Sequence, residues 1–170
     1  MADSSFEPEV SRSLRRIACS FGAPMESIAI ECKRESGKSI AFSRINNDQV
    51  EALLAFERKP FTMKMRVAAS VGGKSRFKSK TGFDFLYCGI GKGFVLVNFR
   101  ATKKSAGEAI NRCFAVRIGA FVTAEESTER KSLPLDWFVE NAVELERIRW
   151  KIKDKFVYGW DLLPLFTLPN

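Results

Sequence analysis

Two apolar runs, Gly82–Ile90 and Gly93–Ala101, flank Gly89-Ile90-Gly91-Lys92-Gly93. Aromatic and β-branched residues bounded by glycines read as strands, and the glycines between them as the turn of a hairpin. Whatever else the chain forms, it must be built on a sheet. Asp84 stands inside the first run, between Phe83 and Phe85. An unpaired buried carboxylate is costly, so Asp84 either belongs to a site or lies on an edge facing water. In the second run Asn98 and Arg100 are two residues apart and share a face.

A second stretch carries more chemistry. Ile28-Ala29-Ile30-Glu31-Cys32-Lys33 reads as a short strand ending in the polar turn formers Arg34 to Lys38. Strand side chains alternate, so Ala29, Glu31 and Lys33 share one face and Ile28, Ile30 and Cys32 the other. A carboxylate and an amine paired in this way are either a cross-charged pair on a surface strand or half of a metal-dependent phosphodiesterase site.

Composition narrows the chemistry. The 170 residues suffice for one domain with a proper core, and a hydrophobic fraction of 45% with 15 Phe marks it as globular. The net charge of +8 suits an anionic partner, nucleic acid first and an acidic membrane surface second. There is no His, which excludes His-based acid/base catalysis, Ser–His and Cys–His dyads and His-ligated zinc. Catalysis would have to run on carboxylates, Lys, Arg and a metal ion. Cys19, Cys32, Cys88 and Cys113 form no C-x-x-C pair and each lies in an apolar run, as buried thiols of a reducing compartment do. No leader and no membrane-length apolar run is visible, so the expected location is intracellular and cytoplasmic, or nucleoid-associated if prokaryotic.

The remaining elements follow in order. Phe6-Glu7-Pro8-Glu9 opens a helix with a stripe of Val10, Leu14, Ile17 and Phe21, stopped by Gly22 and Pro24. A hairpin-like turn at Glu35 to Lys38 leads to a second short strand, Ser39 to Ser43. Asn46-Asn47-Asp48 caps a helix to Arg58 that buries Val50, Leu53 and Leu54, with Gln49 in its first turn. Thr62 to Val71 alternates as a strand. Lys74-Ser75-Arg76-Phe77-Lys78-Ser79-Lys80 is basic at every second position, and reads as a phosphate-contacting loop with Phe77 able to stack on a base, or as a solvated loop with one anchoring Phe. Thr102 to Asn111 is a polar, helix-compatible connection, and Cys113 to Thr123 an apolar strand. Leu133-Pro134-Leu135-Asp136 leads into a long helix striped by Phe138, Ala142, Leu145, Ile148 and Ile152. Trp160 and the apolar tail Leu162 to Leu168 should dock on the domain or on a second subunit.

The order Phe6-Glu7, Ile30-Glu31-Cys32-Lys33, a short strand, then Asp48-Gln49-Val50-Glu51-Ala52-Leu53-Leu54-Ala55-Phe56 and the strand from Lys64 to Val71 resembles the archaeal Holliday junction resolvases of the PD-(D/E)XK nuclease superfamily. The resemblance covers roughly the first 70 residues. It implies an α/β (α+β), restriction-endonuclease-like fold with a central mixed sheet flanked by helices. It further implies a homodimer, Mg²⁺ or Mn²⁺, and branched duplex DNA as substrate in recombination and repair. By position Glu31 is the metal-binding acid, Lys33 the catalytic Lys, Glu7 the helix-borne acid and Gln49 a supporting polar residue. The family places an Asp on a strand just before its E-x-K strand; here Gly22 to Ser27 holds Glu26 but no Asp. The second half resembles the missing segment and the related bacterial resolvases, with Asn98 and Arg100 where Glu and Lys belong. Asp84 is therefore the second metal-ligand candidate.

The expectation is one nuclease-like domain over 1–170, with 134–170 a C-terminal helix and tail available as an interface. Its function is metal-dependent, structure-selective DNA cleavage. Arg34, Arg44, Lys74, Arg76, Phe77, Lys78 and Lys80 are the expected DNA contacts. A non-catalytic DNA-binding protein on the same fold, or an assembly subunit, are the alternatives.

Overall fold

The computed structural model describes residues 6–21, 27–67, 83–102 and 109–167, with the side chains at 17–21, 61, 63–67 and 83–88 outside that description. Helix α1 (Phe6–Phe21) precedes strands β1 (Ile28–Glu35) and β2 (Ser39–Ala41), a 3₁₀ turn (Phe42–Arg44) and α2 (Asn47–Arg58). Strands β3 (Phe61–Val67), β4 (Phe83–Gly89), β5 (Lys92–Ala101) and β6 (Ile110–Arg117) follow. The chain then forms α3 (Ile118–Glu126), β7 (Ser132–Pro134), α4 (Leu135–Asn141), β8 (Val143–Leu145), β9 (Arg147–Ile152), β10 (Lys155–Trp160) and α5 (Leu163–Thr167).

The centre is a mixed four-stranded sheet in the order β1-β5-β6-β8, flanked by helices. β1 runs parallel to β5, and β6 is antiparallel to both β5 and β8. The α+β class with a central mixed sheet is as the sequence indicates. β5 is buried at nine of its ten positions, Arg100 being the exception. A strand covered on both faces reads as a continuous apolar run, and Phe94-Val95-Leu96-Val97 is one.

Its alternation separates two cores. Val95, Val97 and Phe99 join Phe114, Val116, Leu53 of α2, Phe121 of α3 and Phe138 of α4 on the first face. Phe94 and Leu96 join Phe6 and Val10 of α1, Ala115, Trp160, Leu162 and Leu165 on the second. β1 obeys the same alternation: Ala29 packs on the first core, and Ile28, Ile30 and Cys32 pack on the second. Glu31 and Lys33 therefore project on the side of α2.

Four expectations are corrected. β4 and β5 are strands but do not form a hairpin: β4 pairs antiparallel with β3, from Phe61 opposite Gly89 to Val67 opposite Phe83, while β5 lies between β1 and β6. The glycines that read as a turn serve close packing instead. A Cβ at Gly91 would collide with the ring of Phe56, and one at Gly93 would come within 2.9 Å of Leu53 O. The end of α2 thus lies directly against the start of β5, where Gly91 N donates to Phe56 O over 3.1 Å. Nor does the turn after Glu35 close a hairpin, because β2 pairs antiparallel with β7.

The C-terminal helix stops at Asn141; Ala142 is extended at φ −127°, ψ 163°, and three strands follow. The expected strand over Cys113 to Thr123 is likewise half strand and half helix, dividing at Ile118. The apolar tail does dock on the domain, with Leu162 and Leu165 fully buried. No helix among the described residues is long and apolar enough to cross a membrane. Met1 to Ser4, Glu26, the loop Lys74 to Lys80 and most of the connection after Thr102 lie outside the described residues.

Candidate functional site

β1 is an edge strand, since among the described residues it pairs with β5 alone. α2 lies over its first face, and α2 begins beside Glu31. Gln49, in the first turn, is fixed at the helix N-terminus because its Oε1 accepts the backbone N–H of Asn46 over 3.1 Å. From there the amide bridges the acid and the amine of β1. Gln49 Nε2 donates to Glu31 Oε1 over 3.0 Å, and Lys33 Nζ donates to Gln49 Oε1 over 3.3 Å. Lys33 Nζ also lies 2.7 Å from Glu31 Oε1, with both side chains largely shielded, 16% and 23% exposed. A charge pair at that depth is worth holding only where polar neighbours complete it, and Gln49 does so.

The other side of β1 is closed by a second network. Arg34 Nε donates to Asn98 Oδ1 over 3.1 Å, and its guanidinium lies 5.5 Å above the Phe6 ring and 4.0 Å from Glu9 Oε2. Glu9 also accepts Trp160 Nε1 over 3.3 Å. Fully buried Asn98 donates to Asn111 Oδ1 and Arg112 O, so β5 and β6 are tied beneath the site. Arg44, from the 3₁₀ turn, donates to Glu35 Oε1 over 2.8 Å and to Arg34 O over 3.3 Å.

The two networks share the walls of one cleft of about 770 Å³, which Glu31, Lys33, Gln49, Glu7, Arg44 and Arg100 all line. Glu7 is exposed in the first turn of α1 and reaches the cleft from the face opposite Gln49. Cys32, between Glu31 and Lys33 but on the reverse face, has its thiol pushed up to about 12, first by burial and then by the charges of Glu31 and Glu7. A protonated, buried thiol is packing rather than a nucleophile.

No family model matches the chain, and no curated protein or solved structure matches it. Function must therefore be read from the cleft itself.

A divalent ion can be tested against these donors. Both neighbours that bind Glu31 use Oε1, which leaves Oε2 as the oxygen able to meet a cation. Glu7 is the second acid of the cleft. No group of three or more His, Cys, Asp and Glu that could hold a metal occurs among the described residues. The set thus falls short of an all-protein cage. It suits Mg²⁺ or Mn²⁺, since Mg²⁺ keeps several waters and is bound by one or two carboxylates together with substrate phosphate.

Of the residues singled out from sequence, Glu31, Lys33, Gln49 and Glu7 come together, and Arg34 and Arg44 line the same cleft. Arg34 is 7% exposed and braces the wall rather than reaching outward. Asp84 stands opposite Arg66 in the β3–β4 ladder, a sheet separate from that of Glu31, and its side chain lies outside the described residues, as do Lys74, Arg76, Phe77, Lys78 and Lys80. Glu35 and Thr102 line the cleft and escaped sequence reading. Glu35 resembled a turn residue, and Thr102 is placed only by the length of β5.

Proposed function

We propose that this chain is a divalent-metal-dependent, structure-selective DNA endonuclease of the Holliday-junction-resolvase type, acting on branched duplex DNA as a homodimer. The observation that supports it is the convergence of Glu31, Lys33 and Gln49, from a strand and a helix start, on one wall of a cleft that also takes Glu7. Glu31 and Glu7 would hold the ion. Bound Mg²⁺ or Mn²⁺ supplies an activated water and neutralises charge on the phosphorane. Lys33 has three N–H donors as an ammonium; two point to Glu31 and Gln49, and the third is available to a phosphate oxygen. Its charge would stabilise the negative charge that builds as the phosphodiester is attacked. Gln49 holds the carboxylate and the amine in register so that neither must reorganise. Arg44 and Arg100 add positive charge at the rim for the DNA backbone.

The test is a labelled four-way junction incubated with Mg²⁺. The wild-type chain should nick it, and Glu31→Ala should cut at least roughly 10²-fold more slowly while still shifting the junction in a gel. Wild-type rates from Glu31→Ala would end the reading. A second reading, a DNA-binding protein that does not cut, is favoured by the lack of a three-ligand acidic cluster among the described residues. It predicts a gel shift without nicks at any Mg²⁺ or Mn²⁺ concentration.

A further inference from the structure

The segment 147–160, RIRWKIKDKFVYGW, carries Arg147, Arg149, Lys151, Lys153 and Lys155 against the single acid Asp154. It folds as the antiparallel hairpin β9–β10, turning at Lys153 and Asp154 with φ 45° and 63°. The register places Arg149 opposite Tyr158 and Lys151 opposite Phe156. All five cations are exposed, and Phe156 and Tyr158 remain 52% and 41% exposed. The Arg149 guanidinium lies 3.5 Å from the Phe156 ring centroid, Arg147 lies 4.7 Å from that of Tyr158, and Lys151 Nζ lies 5.3 Å from that of Phe156.

On the central sheet three arginines over a ring also meet a carboxylate. Arg34 lies over Phe6 and near Glu9, Arg112 over Phe114 and bonded to Glu144, Arg117 over Phe94 and bonded to Glu57. In the hairpin the rings are present and the acids are not: among the described residues no carboxylate pairs with Arg147, Arg149, Lys151, Lys153 or Lys155. A guanidinium stacked on a ring keeps its in-plane N–H donors for an anion. Side chains two apart on a strand are spaced about 6.6 Å, so the donors form a regular row.

We propose that the β9–β10 hairpin binds single-stranded nucleic acid. Phosphates meet the edges of Arg147, Arg149 and Lys151, and unpaired bases stack on the exposed Phe156 and Tyr158 rings and on the guanidinium planes that cover them. A duplex hides its base faces and would use only the cations. An unpaired strand offers phosphates and base faces at once, as this surface requires. The hairpin packs against α1, where Arg12 donates to Tyr158 O over 3.4 Å and Arg16 lies 5.8 Å from the Trp150 ring centroid. The same helix brings Glu7 to the cleft. At about 1.5 Å per residue, Arg16 is roughly 13 Å along the helix from Glu7, so one strand could touch both places. Binding at the hairpin does not depend on cleavage in the cleft.

The test is fluorescence anisotropy of labelled oligothymidylate against the full chain, with a blunt duplex and phosphatidylserine/phosphatidylcholine vesicles as competitors. Phe156→Ala and Tyr158→Ala should each weaken oligothymidylate binding about tenfold and leave duplex binding nearly unchanged. Arg149→Gln should flatten the salt dependence of oligothymidylate binding by about 0.7 in log–log slope for each phosphate it no longer neutralises. These rings and the guanidinium are exposed, and an unchanged melting temperature confirms that each variant folds. Unchanged affinity in the ring variants, equal weakening for duplex and single strand, or displacement by vesicles rather than by unlabelled oligothymidylate would overturn the proposal. Loss of junction nicking in Glu31→Ala reads the cleft, and loss of oligothymidylate binding in the Phe156 and Tyr158 variants reads the hairpin, so the two readings fail separately.

Discussion

The cations of the central sheet and those of the β9–β10 hairpin have the same chemistry in different company. Arg34, Arg112 and Arg117 each lie over an aromatic ring and also meet an acid. Arg147, Arg149 and Lys151 have only the ring. A guanidinium offers a flat face and a fork of N–H donors. Where both are satisfied within the fold, the residue fixes structure; where only the face is satisfied, the donors are left for something outside. Positive charge on the central sheet is therefore spent on the fold's own acids, Glu9, Glu144 and Glu57, and positive charge on the hairpin is not.

The largest expected difference between the two regions is in accessibility. Cys113 lies on β6 beneath Asn98, and burial raises its thiol well above its ordinary value. It should react with iodoacetamide only through global opening, at least roughly 10³-fold more slowly than in urea for a stability of about 5 kcal/mol. A cysteine introduced on the hairpin as Tyr158→Cys should react at nearly the unfolded rate. Site-resolved mass spectrometry measures both. Comparable protection of the two would show that the hairpin face is covered and would erase the contrast.

A smaller effect separates the arginines themselves. Arg34→Met removes a 7%-exposed guanidinium from Asn98, Phe6 and Glu9. It should lower the free energy of unfolding by about 3 kcal/mol, because partly buried Glu9 loses its counter-charge. Arg149→Met on the hairpin should change it by less than about 0.5 kcal/mol, as exposed substitutions do. Urea titrations of the two variants decide this. Equal losses would mean that Arg149 is structural, and the division between inward and outward cations would fail.

What sequence reading recovered, and what it missed, divides along similar lines. α1, β1 and α2 carry local signals: an acidic first turn, strict alternation around Glu31, and the polar start Asn46-Asn47-Asp48 with Gln49 in the first turn. Each was legible, whereas the grouping of Glu31, Lys33 and Gln49 came only from the resemblance. The β4–β5 pairing was misread because Gly91 and Gly93 carry the residue signature of a turn, whereas their need is room for Phe56 and Leu53, a tertiary fact. The third miss has another cause. Phe138, Ala142, Leu145, Ile148 and Ile152 recur at helical intervals, and that stripe outweighed a competing period of two in Arg147, Arg149 and Lys151. Both periods are present from Arg147 to Ile152, and the choice falls to the β-formers Val157 and Tyr158 on the partner strand. Asn98 was placed from sequence only by resemblance, where a Glu belongs; its structural partners Arg34 on β1 and Asn111 and Arg112 on β6 come from two distant places in the chain.

The smallest effect tests the intermediate case. Arg112 lies over Phe114 and pairs with Glu144 at 2.6 Å, yet both charged side chains are substantially exposed, 39% and 46%. The hydrogen bonds from Arg112 hold the Glu144 carboxyl below the usual carboxylate range. A carboxylate whose folded value is depressed stabilises the fold above its unfolded value, about 4.3 for Glu, and loses that contribution as pH falls through the depressed value. Solvent screening keeps the pair within about 0.2–1 kcal/mol. Glu144→Gln should therefore cost less than about 1 kcal/mol at neutral pH. The difference from wild type should close once the pH drops below the Glu144 value, and it should shrink in high salt. Urea titrations across that pH range measure it. A loss as large as that of Arg34→Met would show that exposure does not divide the arginines, and that the acid alone decides which of them hold the fold together.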